Sequence, residues 1–367
     1  MNSTRRVILV GAGHAHLHTL QHAAEFARRG VELVVIAPED FWYSGLATGV
    51  LGGRYPPEMD QVDIAALLGA GRFVRERVVK IDAAARRVHL SGGEVLGFDA
   101  LSVNVGSEVW PIPGAADGVI PIKPLHELAR LRRELEAARD ARRAVHIVVA
   151  GGGPSGCEIA TNVRALMGGG SAKITLLVRG ARVVAGFAPR VSARLHDWLR
   201  TCDIAVQFDS ELERIDARTA VTTRGDAIHF DYLVNATGLH PPALLVESGL
   251  TCSEQGELLV DEHLRTLSGA PIFGGGDCVK MKDHDLEKIG VYAVRQSPVL
   301  LRNLLATLDG TPLHAFVPQR HCLLILNLGS GLGLARWHGF YWFGRAAFWL
   351  KDRIDRRFLA RYPRPLP

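Results

Sequence analysis

Three kinds of feature are scarce in this chain of 367 residues. No apolar stretch reaches about 18 residues, the length that an α-helix needs to cross a bilayer, so the sequence predicts a protein that does not span a membrane. The formal charge is only +5 and no nucleic-acid motif accompanies it, so nucleic acid is not an expected partner. Paired cysteines are also missing, because none of the five cysteines forms a CxxC or CxxxxC motif. This excludes a locally encoded zinc site or dithiol centre and makes reduced cytoplasmic thiols the default expectation. The cysteines are Cys157, Cys202, Cys252, Cys278 and Cys322.

Glycine and apolar residues are abundant instead. The chain is 47% hydrophobic and 22% charged, with 39 glycines. This composition is typical of a globular α/β protein whose tight turns need residues without a Cβ atom. The length favours two or three domains.

The pattern of a strand, a helix and a second strand occurs twice along the chain. In each copy a short apolar run leads into glycines, a helical periodicity follows, and another apolar run ends the unit. The sequence therefore predicts an α/β fold with two Rossmann-like dinucleotide-binding domains, the second inserted in the first. The predicted elements are 7–12, 16–29 and 31–36 in the first unit, and 145–150, 156–166 and 174–178 in the second.

Four segments follow from this organisation. Pro111 and Pro113 mark a linker, and a charged helix is predicted over 126–143. Strands that end in Thr237-Gly238 and in three glycines after Phe273 mark the places where the chain returns. The predicted parts are 1–110, the first part of an FAD-binding domain; 111–245, an NAD(P)H-binding domain; 246–310, the second part of the FAD-binding domain; and 311–367, a C-terminal region with an amphipathic helix.

The first glycine-rich fingerprint is Gly11-Ala12-Gly13-His14-Ala15-His16, between a strand and a helix. Glycines there let the backbone approach a pyrophosphate, whose charge meets the helix N–H groups. Gly11, Gly13, His14 and Ala15 are thus candidate cofactor contacts. His16 occupies the place of the third glycine, so the close packing of helix on strand must be relieved in another way.

The second strand lacks the acidic residue that usually binds a ribose. Ala37 occupies that position, and Glu39 and Asp40 follow a little later. Either one substitutes for the missing acid, or both are ordinary solvated loop charges.

The second fingerprint, Gly151-Gly152-Gly153-Pro154-Ser155-Gly156, satisfies GxGxxG and is followed by Glu158. The strand after it ends at Val178-Arg179 without an acid, so nothing selects a free 2′-hydroxyl. Arg179 either meets a 2′-phosphate, which favours NADPH, or is a solvated turn residue.

A third motif, Gly274-Gly275-Gly276-Asp277, ends a short strand. Its carboxylate can accept hydrogen bonds from a sugar-like polyol. Together with Gly238 at the end of another strand and the first fingerprint, it indicates an FAD site.

Taken together, these motifs resemble the two-dinucleotide-binding-domain flavoproteins, which include type II NADH dehydrogenases, sulfide:quinone oxidoreductases and glutathione reductase-like enzymes. The chain looks most like the flavoprotein domain that some bacteria fuse to selenophosphate synthetase. The segments that carry this likeness are GAGHAH (11–16), YSGLATG (43–49), VGSEVWPIPG (105–114), GVYAVRQSPVLLRNL (290–304) and LKDRIDRRF (350–358).

The resemblance implies two cofactors, FAD and NAD(P)H, bound at separate sites. By this likeness Gly11, Gly13 and Asp277 hold FAD, and Ser44 and Gly45 lie near the flavin. The residues that hold the nicotinamide cofactor are Gly151, Gly153, Gly156 and Glu158, and the further candidate contacts of the two cofactors are Gly106, Gly238, Gly276 and Val291.

The resemblance also implies a quinone or another small electron acceptor. Gln296 ends an AxxQ element similar to the one that faces quinone in type II NADH dehydrogenases, and Lys288 precedes it. Glu158, Lys288 and Gln296 are the catalytic candidates. Two plainer roles stay open, a polar helix contact for Gln296 and a surface lysine for Lys288. Cys157 and Cys322 leave sulfide or a selenium compound as an alternative substrate, and a redox sensor with little turnover is another.

The tail from Trp337 to Tyr362 alternates aromatic and basic residues at helical spacing. It predicts an amphipathic helix that either holds the protein on the cytoplasmic face of an anionic membrane or packs on the flavin domain or across a homodimer. The expected stripe is Phe343, Ala347, Leu350, Ile354 and Phe358.

Overall fold

A computed structural model describes residues 5–114, 117–170 and 172–365. The strands are, in chain order, β1 (Arg5–Val10), β2 (Val31–Ile36), β3 (Phe41–Trp42), β4 (Gln61–Val62), β5 (Arg72–Val74), β6 (Val78–Asp82), β7 (Arg87–Leu90), β8 (Val95–Gly97), β9 (Ala100–Val103), β10 (Glu108–Val109), β11 (Val119–Pro121), β12 (Val145–Ala150), β13 (Ala172–Leu177), β14 (Ile204–Gln207), β15 (Leu212–Asp216), β16 (Thr219–Thr222), β17 (Ala227–His229), β18 (Tyr232–Asn235), β19 (Leu239–His240), β20 (Leu258–Val260), β21 (Ile272–Gly274), β22 (Val279–Met281), β23 (Leu324–Asn327), β24 (Gly333–Trp337) and β25 (Phe340–Gly344).

Helices connect and cover these strands. They are α1 (Leu17–Gln21), α2 (Ala23–Arg28), α3 (Ser44–Leu51), α4 (Ile64–Leu68), α5 (His126–Asp140), α6 (Pro154–Met167), α7 (Pro189–Thr201), α8 (Leu244–Glu247), α9 (Gly290–Asp309) and α10 (Arg345–Leu359), with a 3₁₀ turn at Gly276–Cys278.

Two parallel sheets of five strands form the centre of the fold. The first has the order β21-β9-β1-β2-β5 and the second the order β11-β18-β12-β13-β14. Every pairing within the two sheets is parallel. Their middle strands are continuous apolar runs because helices and loops cover both faces, as in doubly wound α/β proteins. This confirms the predicted fold class of two Rossmann-like units.

The second sheet lies within the sequence of the first. All of its strands fall between β9 and β21, which are neighbours in the first sheet. Each unit also carries a three-stranded antiparallel sheet before its last long strand, β6-β7-β8 in one and β15-β16-β17 in the other. The internal repeat is therefore larger than the βαβ pattern that the sequence revealed.

The helix predicted over 16–29 is broken in two. His22 lies between α1 and α2 with φ −108° and ψ 22°, outside helical geometry, and its Nδ1 atom lies 2.8 Å from the carbonyl oxygen of His18. A side chain that hydrogen-bonds the preceding turn competes with the regular helix ladder. The helix predicted over 126–143 ends at Asp140.

The prediction of one amphipathic helix over 337–362 was wrong at its start. Trp337 and Phe340 close a hairpin between β24 and β25, and the two residues between them, His338 and Gly339, both have positive φ. Two such residues form the turn that suits the twist of a hairpin, and aromatic residues favour strands. The helix begins only at Arg345.

The expected apolar stripe is also revised. Phe343 lies on β25 and Ile354 is 44% exposed, whereas the buried residues of α10 are Ala347, Phe348, Asp355 and Leu359. The buried face therefore includes a carboxylate, which an apolar periodicity cannot reveal. No helix among the described residues is both long and apolar enough to cross a membrane.

Candidate cofactor-binding site

The loops that follow β1, β9 and β21 meet at the carboxyl edge of the first sheet. Asn104, directly after β9, joins them: its Oδ1 accepts the backbone N–H of Ala15 at 2.9 Å and its Nδ2 donates to the carbonyl oxygen of Gly275 at 2.6 Å. Ligands of doubly wound sheets bind at this edge. Sequence reasoning missed Asn104, although a polar residue directly after a buried strand was a usable signal.

The glycines of the first fingerprint are required by close packing. Gly11 has φ +86°, and a Cβ atom there would collide with the carbonyl oxygen of Asn104. A Cβ atom on Gly13 would collide with the Asn104 side chain. The loop therefore keeps its bare backbone near the start of α1, as a pyrophosphate-binding turn requires.

His16 takes the space of the missing third glycine. Its ring is fully buried, with Nδ1 2.6 Å from the carbonyl oxygen of Gly11 and Nε2 2.8 Å from Oγ of Ser102 on β9. Burial lowers the pKa of His16 to about 4, although the hydrogen bond to Gly11 acts in the opposite direction. The crowding is thus relieved by a small serine on the neighbouring strand and by a neutral imidazole bonded at both nitrogens.

His14 lies where the first fingerprint faces α3 and α9. Its ring packs edge-on against Phe41 at 4.7 Å, and its Nε2 atom is buried without a partner among the described residues. A Cβ atom built on Gly290 would lie 3.6 Å from this nitrogen and 3.9 Å from Oγ of Ser44. Burial lowers the pKa of His14 to about 4. Unpaired buried nitrogens are rare in proteins, so this atom fits a site completed by a polar ligand.

The carboxylate of Asp277 follows β21 at the same edge. Its Oδ2 accepts hydrogen bonds from Nζ of Lys123 at 2.8 Å and Oγ of Ser107 at 3.0 Å. Burial by itself would raise the pKa of Asp277, but Lys123 and Ser107 hold it below its usual value. The residue is therefore an ionised acceptor, the chemistry expected for a group that binds a ribityl chain. Gly106, with φ +69°, lies in the loop between β9 and Ser107.

The second fingerprint has the same close packing at the carboxyl edge of the second sheet. A Cβ atom on Gly151 would collide with the carbonyl oxygen of Ala236, and one on Gly156 would collide with that of Gly151. Gly153 caps the start of α6, and Gly238 lies in the loop after β18. The structure thus joins these glycines, as a nicotinamide dinucleotide site requires.

Arg179 lies beyond the end of β13. Its side chain is 81% exposed, and its guanidinium is 3.8 Å from a carboxylate oxygen of Glu211. The preceding residue, Val178, is buried. The guanidinium is thus free to meet a phosphate in solvent, but it is not held in place by the fold.

Glu158 connects α6 of the second domain to Asn327, the last residue of β23. One carboxylate oxygen accepts the backbone N–H of Asn327 at 2.5 Å. Burial raises the pKa of Glu158 to about 7, while the Lys351 ammonium and the Asn327 N–H act to lower it. A carboxyl group of this kind exchanges its proton near neutral pH.

Helix α10 adds two residues, Lys351 and Asp355, to which the sequence analysis gave no role. Lys351 donates from Nζ to the carbonyl oxygen of Gly45 at 2.6 Å and to Asp355 at 2.7 Å. Asp355 also accepts a hydrogen bond from the hydroxyl of Tyr43 at 2.8 Å. These hydrogen bonds hold α10 against the segment 43–45, which is expected beside the flavin.

Gln296 and Lys288 lie beside Asp277 around a cavity of about 40 Å³. The side chain of Gln296 is buried, and its Oε1 accepts the backbone N–H of Gly276 at 2.8 Å. Lys288 donates to Glu257 at 2.7 Å and to the carbonyl oxygen of Val279 at 2.9 Å. Both side chains therefore have partners within the fold, and the structure brings the two residues together around this cavity. Val291 lies in the first turn of α9.

The two acids after β2, Glu39 and Asp40, both have partners within the chain. Asp40 accepts the backbone N–H of Ile64 at 3.0 Å and pairs with Arg75. Glu39 lies 2.8 Å from Nδ1 of His126.

All five cysteines are free. Burial raises the pKa of Cys157 to about 12 and that of Cys278 to about 11, so neither thiol is ionised near neutral pH. Ionisation is what makes a thiol a nucleophile.

Comparison with known proteins places this arrangement in a family. The family profile described as pyridine nucleotide-disulphide oxidoreductase matches residues 5–297. The chain is 25% identical to ferroptosis suppressor protein 1 of Taeniopygia guttata over 281 residues, which is 73% of this chain and 72% of that protein. Two solved structures share the fold. NDH2 from Plasmodium falciparum in complex with NADH has a TM-score of 0.81 at 14% identity, with 99% of both chains covered. The sulfide:quinone oxidoreductase of Aquifex aeolicus has a TM-score of 0.78 at 13% identity, with 97% of this chain and 91% of that one covered. The chain belongs to the pyridine nucleotide-disulphide oxidoreductase family, whose members are flavoproteins that bind FAD and NAD(P)H.

Proposed function

We propose that this chain oxidises NADPH or NADH and passes the electrons through FAD to a quinone or a similar small acceptor. One observation carries the proposal: the Lys123–Asp277 ion pair joins the chain just beyond the carboxyl end of β11, in the second sheet, to the chain just beyond the carboxyl end of β21, in the first. FAD bound at the first sheet would supply the hydride and electron chemistry, so two dinucleotide sites joined by this ion pair suit the reaction.

The residues of each edge have separate roles in this proposal. Gly11, Gly13 and Asp277 hold FAD, with His14 and Ala15 beside its pyrophosphate. Ser44, Gly45, Gly106, Gly276 and Val291 border the flavin, and the second fingerprint with Gly238 holds the nicotinamide cofactor. The protein orients two rings and excludes water between them, so no side-chain nucleophile is needed.

An external acceptor is favoured over an internal disulfide. Helix α3, which in this proposal runs beside the flavin, contains no cysteine. A sulfide reaction through Cys157 is disfavoured because its raised pKa leaves that thiol protonated. Cys322, whose sulfur accepts a hydrogen bond from Gln319 at 3.0 Å, keeps sulfide as the alternative donor. Lys288 and Gln296 are proposed to shape the acceptor side, with Gln296 acting through the backbone of Gly276.

NADPH is proposed to reduce the flavin at least as well as NADH. Val178 offers no carboxylate to a free 2′-hydroxyl, and the exposed guanidinium of Arg179 is available to a 2′-phosphate.

A peripheral membrane contact is proposed for the C-terminal region. The inner face of α10 packs on the protein's own chain, so the contact falls to Trp337, Phe340 and Trp349, which are 50%, 73% and 62% exposed. Exposed Arg345 and Arg353 add positive charge beside them. Aromatic rings with basic neighbours suit an anionic lipid interface.

The likeness to the domain fused to selenophosphate synthetase stays a prediction.

Anaerobic stopped-flow absorbance of the FAD-bound protein tests the reaction. We expect NADPH and NADH to bleach the flavin, and ubiquinone-1 to restore its colour faster than dissolved oxygen does. The control adds sodium sulfide in place of NAD(P)H. Bleaching by sulfide alone would make the protein a sulfide oxidoreductase, and a flavin that neither nucleotide bleaches would indicate a sensor.

A further inference from the structure

Lys123 belongs to the second domain but reaches a carboxylate of the first. It lies two residues beyond β11, whose neighbour β18 is a strand of the second sheet, and the backbone N–H of Ile122 still bonds to Asn235 at the end of β18. Its Nζ donates to Asp277 at 2.8 Å and to Ser107 at 2.6 Å. The Lys123 and Asp277 side chains are 23% and 17% exposed. The pair therefore crosses from one dinucleotide fold to the other in a partly desolvated place.

The hydrogen bonds to Asp277 are one-sided. Both side-chain donors, Lys123 and Ser107, bond to Oδ2, and within the described ranges Oδ1 has no hydrogen-bond partner. A carboxylate held at one oxygen by a cation is fixed in rotation, and its other oxygen keeps its lone pairs for a donor from outside the chain.

The charge at this position also depends on the lysine. Burial acts to raise the pKa of Asp277, and Lys123 provides the largest opposing effect, followed by Ser107 and His14. The cavity that Asp277 lines also contains residues of two ion pairs, Lys288 with Glu257 and Glu287 with Arg336. Its other titratable lining residues are Lys280, His284, Asp285 and Tyr292. None of these groups forms a hydrogen bond or ion pair with Asp277 among the described residues, whereas Lys123 does. Without the Lys123 ammonium, burial would therefore dominate and favour the protonated acid.

We propose that Lys123 is a positioning residue that completes the FAD site from the second domain. It keeps Asp277 ionised and directs Oδ1 toward a hydroxyl of the cofactor. FAD affinity therefore depends on the position of Lys123, and so of the second domain, relative to Asp277. The inference rests on the proposed role of Asp277 at the flavin.

Equilibrium FAD binding by the apoprotein, measured by flavin fluorescence from pH 5 to 8, tests this role. We expect Lys123→Met to raise the FAD dissociation constant by about 10-fold to 100-fold at pH 7.5. FAD should also be released at a higher pH than from the wild-type protein, because the acid protonates more readily. Lys123→Arg, which keeps the charge, should restore binding to within about threefold of wild type.

The matched control is Arg6→Met. It removes an ion pair of similar exposure, 25% and 29%, between Arg6 and Glu32, beside the amino end of β1 and far from the fingerprint. Its FAD affinity and pH profile should not change. If Lys123→Met does not fold, as judged by circular dichroism, Lys123→Gln takes its place in the same series.

A double-mutant cycle with Asp277→Asn separates the inference from the proposal beneath it. Because Lys123 acts through the charge of Asp277, Lys123→Met should change FAD binding by no more than about twofold in the Asp277→Asn background. The role of Lys123 would be overturned if Lys123→Met raised the FAD dissociation constant equally in the wild-type and Asp277→Asn proteins. It would also be overturned if Lys123→Met changed FAD binding in neither protein. Undiminished FAD binding by Asp277→Asn alone would instead remove Asp277 from the site.

Discussion

Replacing Glu158 with glutamine tests whether a buried carboxyl group titrates near neutral pH beside the nicotinamide site. Burial raises the pKa of Glu158 from 4.5 to about 7. A group with a higher pKa in the folded chain than in the unfolded chain stabilises the fold at low pH, and that contribution is lost as the pH rises through the folded value. A shift of this size removes about 2 to 3 kcal/mol from the free energy of unfolding between pH 5 and pH 8.

Glutamine keeps an oxygen for the N–H of Asn327 but carries no charge. The unfolding free energy of wild type minus that of Glu158→Gln should therefore fall by about 2 to 3 kcal/mol from pH 5 to pH 8. Urea titration of the FAD-saturated proteins, followed by tryptophan fluorescence, measures it. Glu213→Gln is the control, because that side chain is 54% exposed on β15. A wild-type minus Glu158→Gln difference that stays constant with pH would refute the argument.

The same titration should appear in the reaction. The rate of flavin reduction by NADPH should show an inflection near pH 7 in the wild-type protein that Glu158→Gln lacks. Glu158→Ala should also lower stability by about 1 to 3 kcal/mol, since the N–H of Asn327 loses its acceptor.

Three other perturbations address the cofactor choice, the first fingerprint and the tail. Arg179→Glu should lower the ratio of kcat/KM for NADPH to kcat/KM for NADH by at least about tenfold, because the new carboxylate repels a 2′-phosphate. The control is Arg200→Glu, at a side chain on α7 that is 79% exposed, and it should leave this ratio unaltered. The pKa of His16 is depressed, so its contribution to stability is complete above about pH 6.5 and is lost as the pH falls toward about 4. Urea titration should show wild type losing about 2 kcal/mol relative to His16→Gln between pH 7 and 5, and equal losses in both proteins would contradict this. The double variant Phe340→Ser/Trp349→Ser should sediment less with anionic phosphatidylserine liposomes at low salt than the wild-type protein does. Val317→Ser, at a side chain that is 84% exposed, is the control and should sediment like wild type. Unchanged sedimentation of the double variant would mean that the C-terminal region only packs on the protein.

The two glycine-rich fingerprints and the strands that precede them could be predicted from sequence because their causes are local. A run such as Val7–Val10 is apolar throughout because its strand is buried on both faces. Gly11 and Gly151 are needed at positive φ where two backbones approach. Each signal lies within a few residues, so its spacing survives in the sequence.

The C-terminal region shows where local patterns are insufficient. Its aromatic and basic residues have helical spacing, but the same residues also suit a hairpin, and pairing of β24 with β25 decided between them. An apolar stripe cannot show that a carboxylate such as Asp355 is buried, because burial of a charge depends on a partner elsewhere in the chain.

Local sequence patterns were enough to predict two dinucleotide folds and the glycine-rich turn in each of them. The side chains that complete the site were set by tertiary contacts instead. Asn104 joins loops that are 89 and 171 residues away, Lys123 bonds to a carboxylate 154 residues away, and Lys351 reaches Gly45 across 306 residues. Such contacts form because parallel strands bring their carboxyl ends to one edge whatever their order in the chain, and no pattern of neighbouring residues records that meeting.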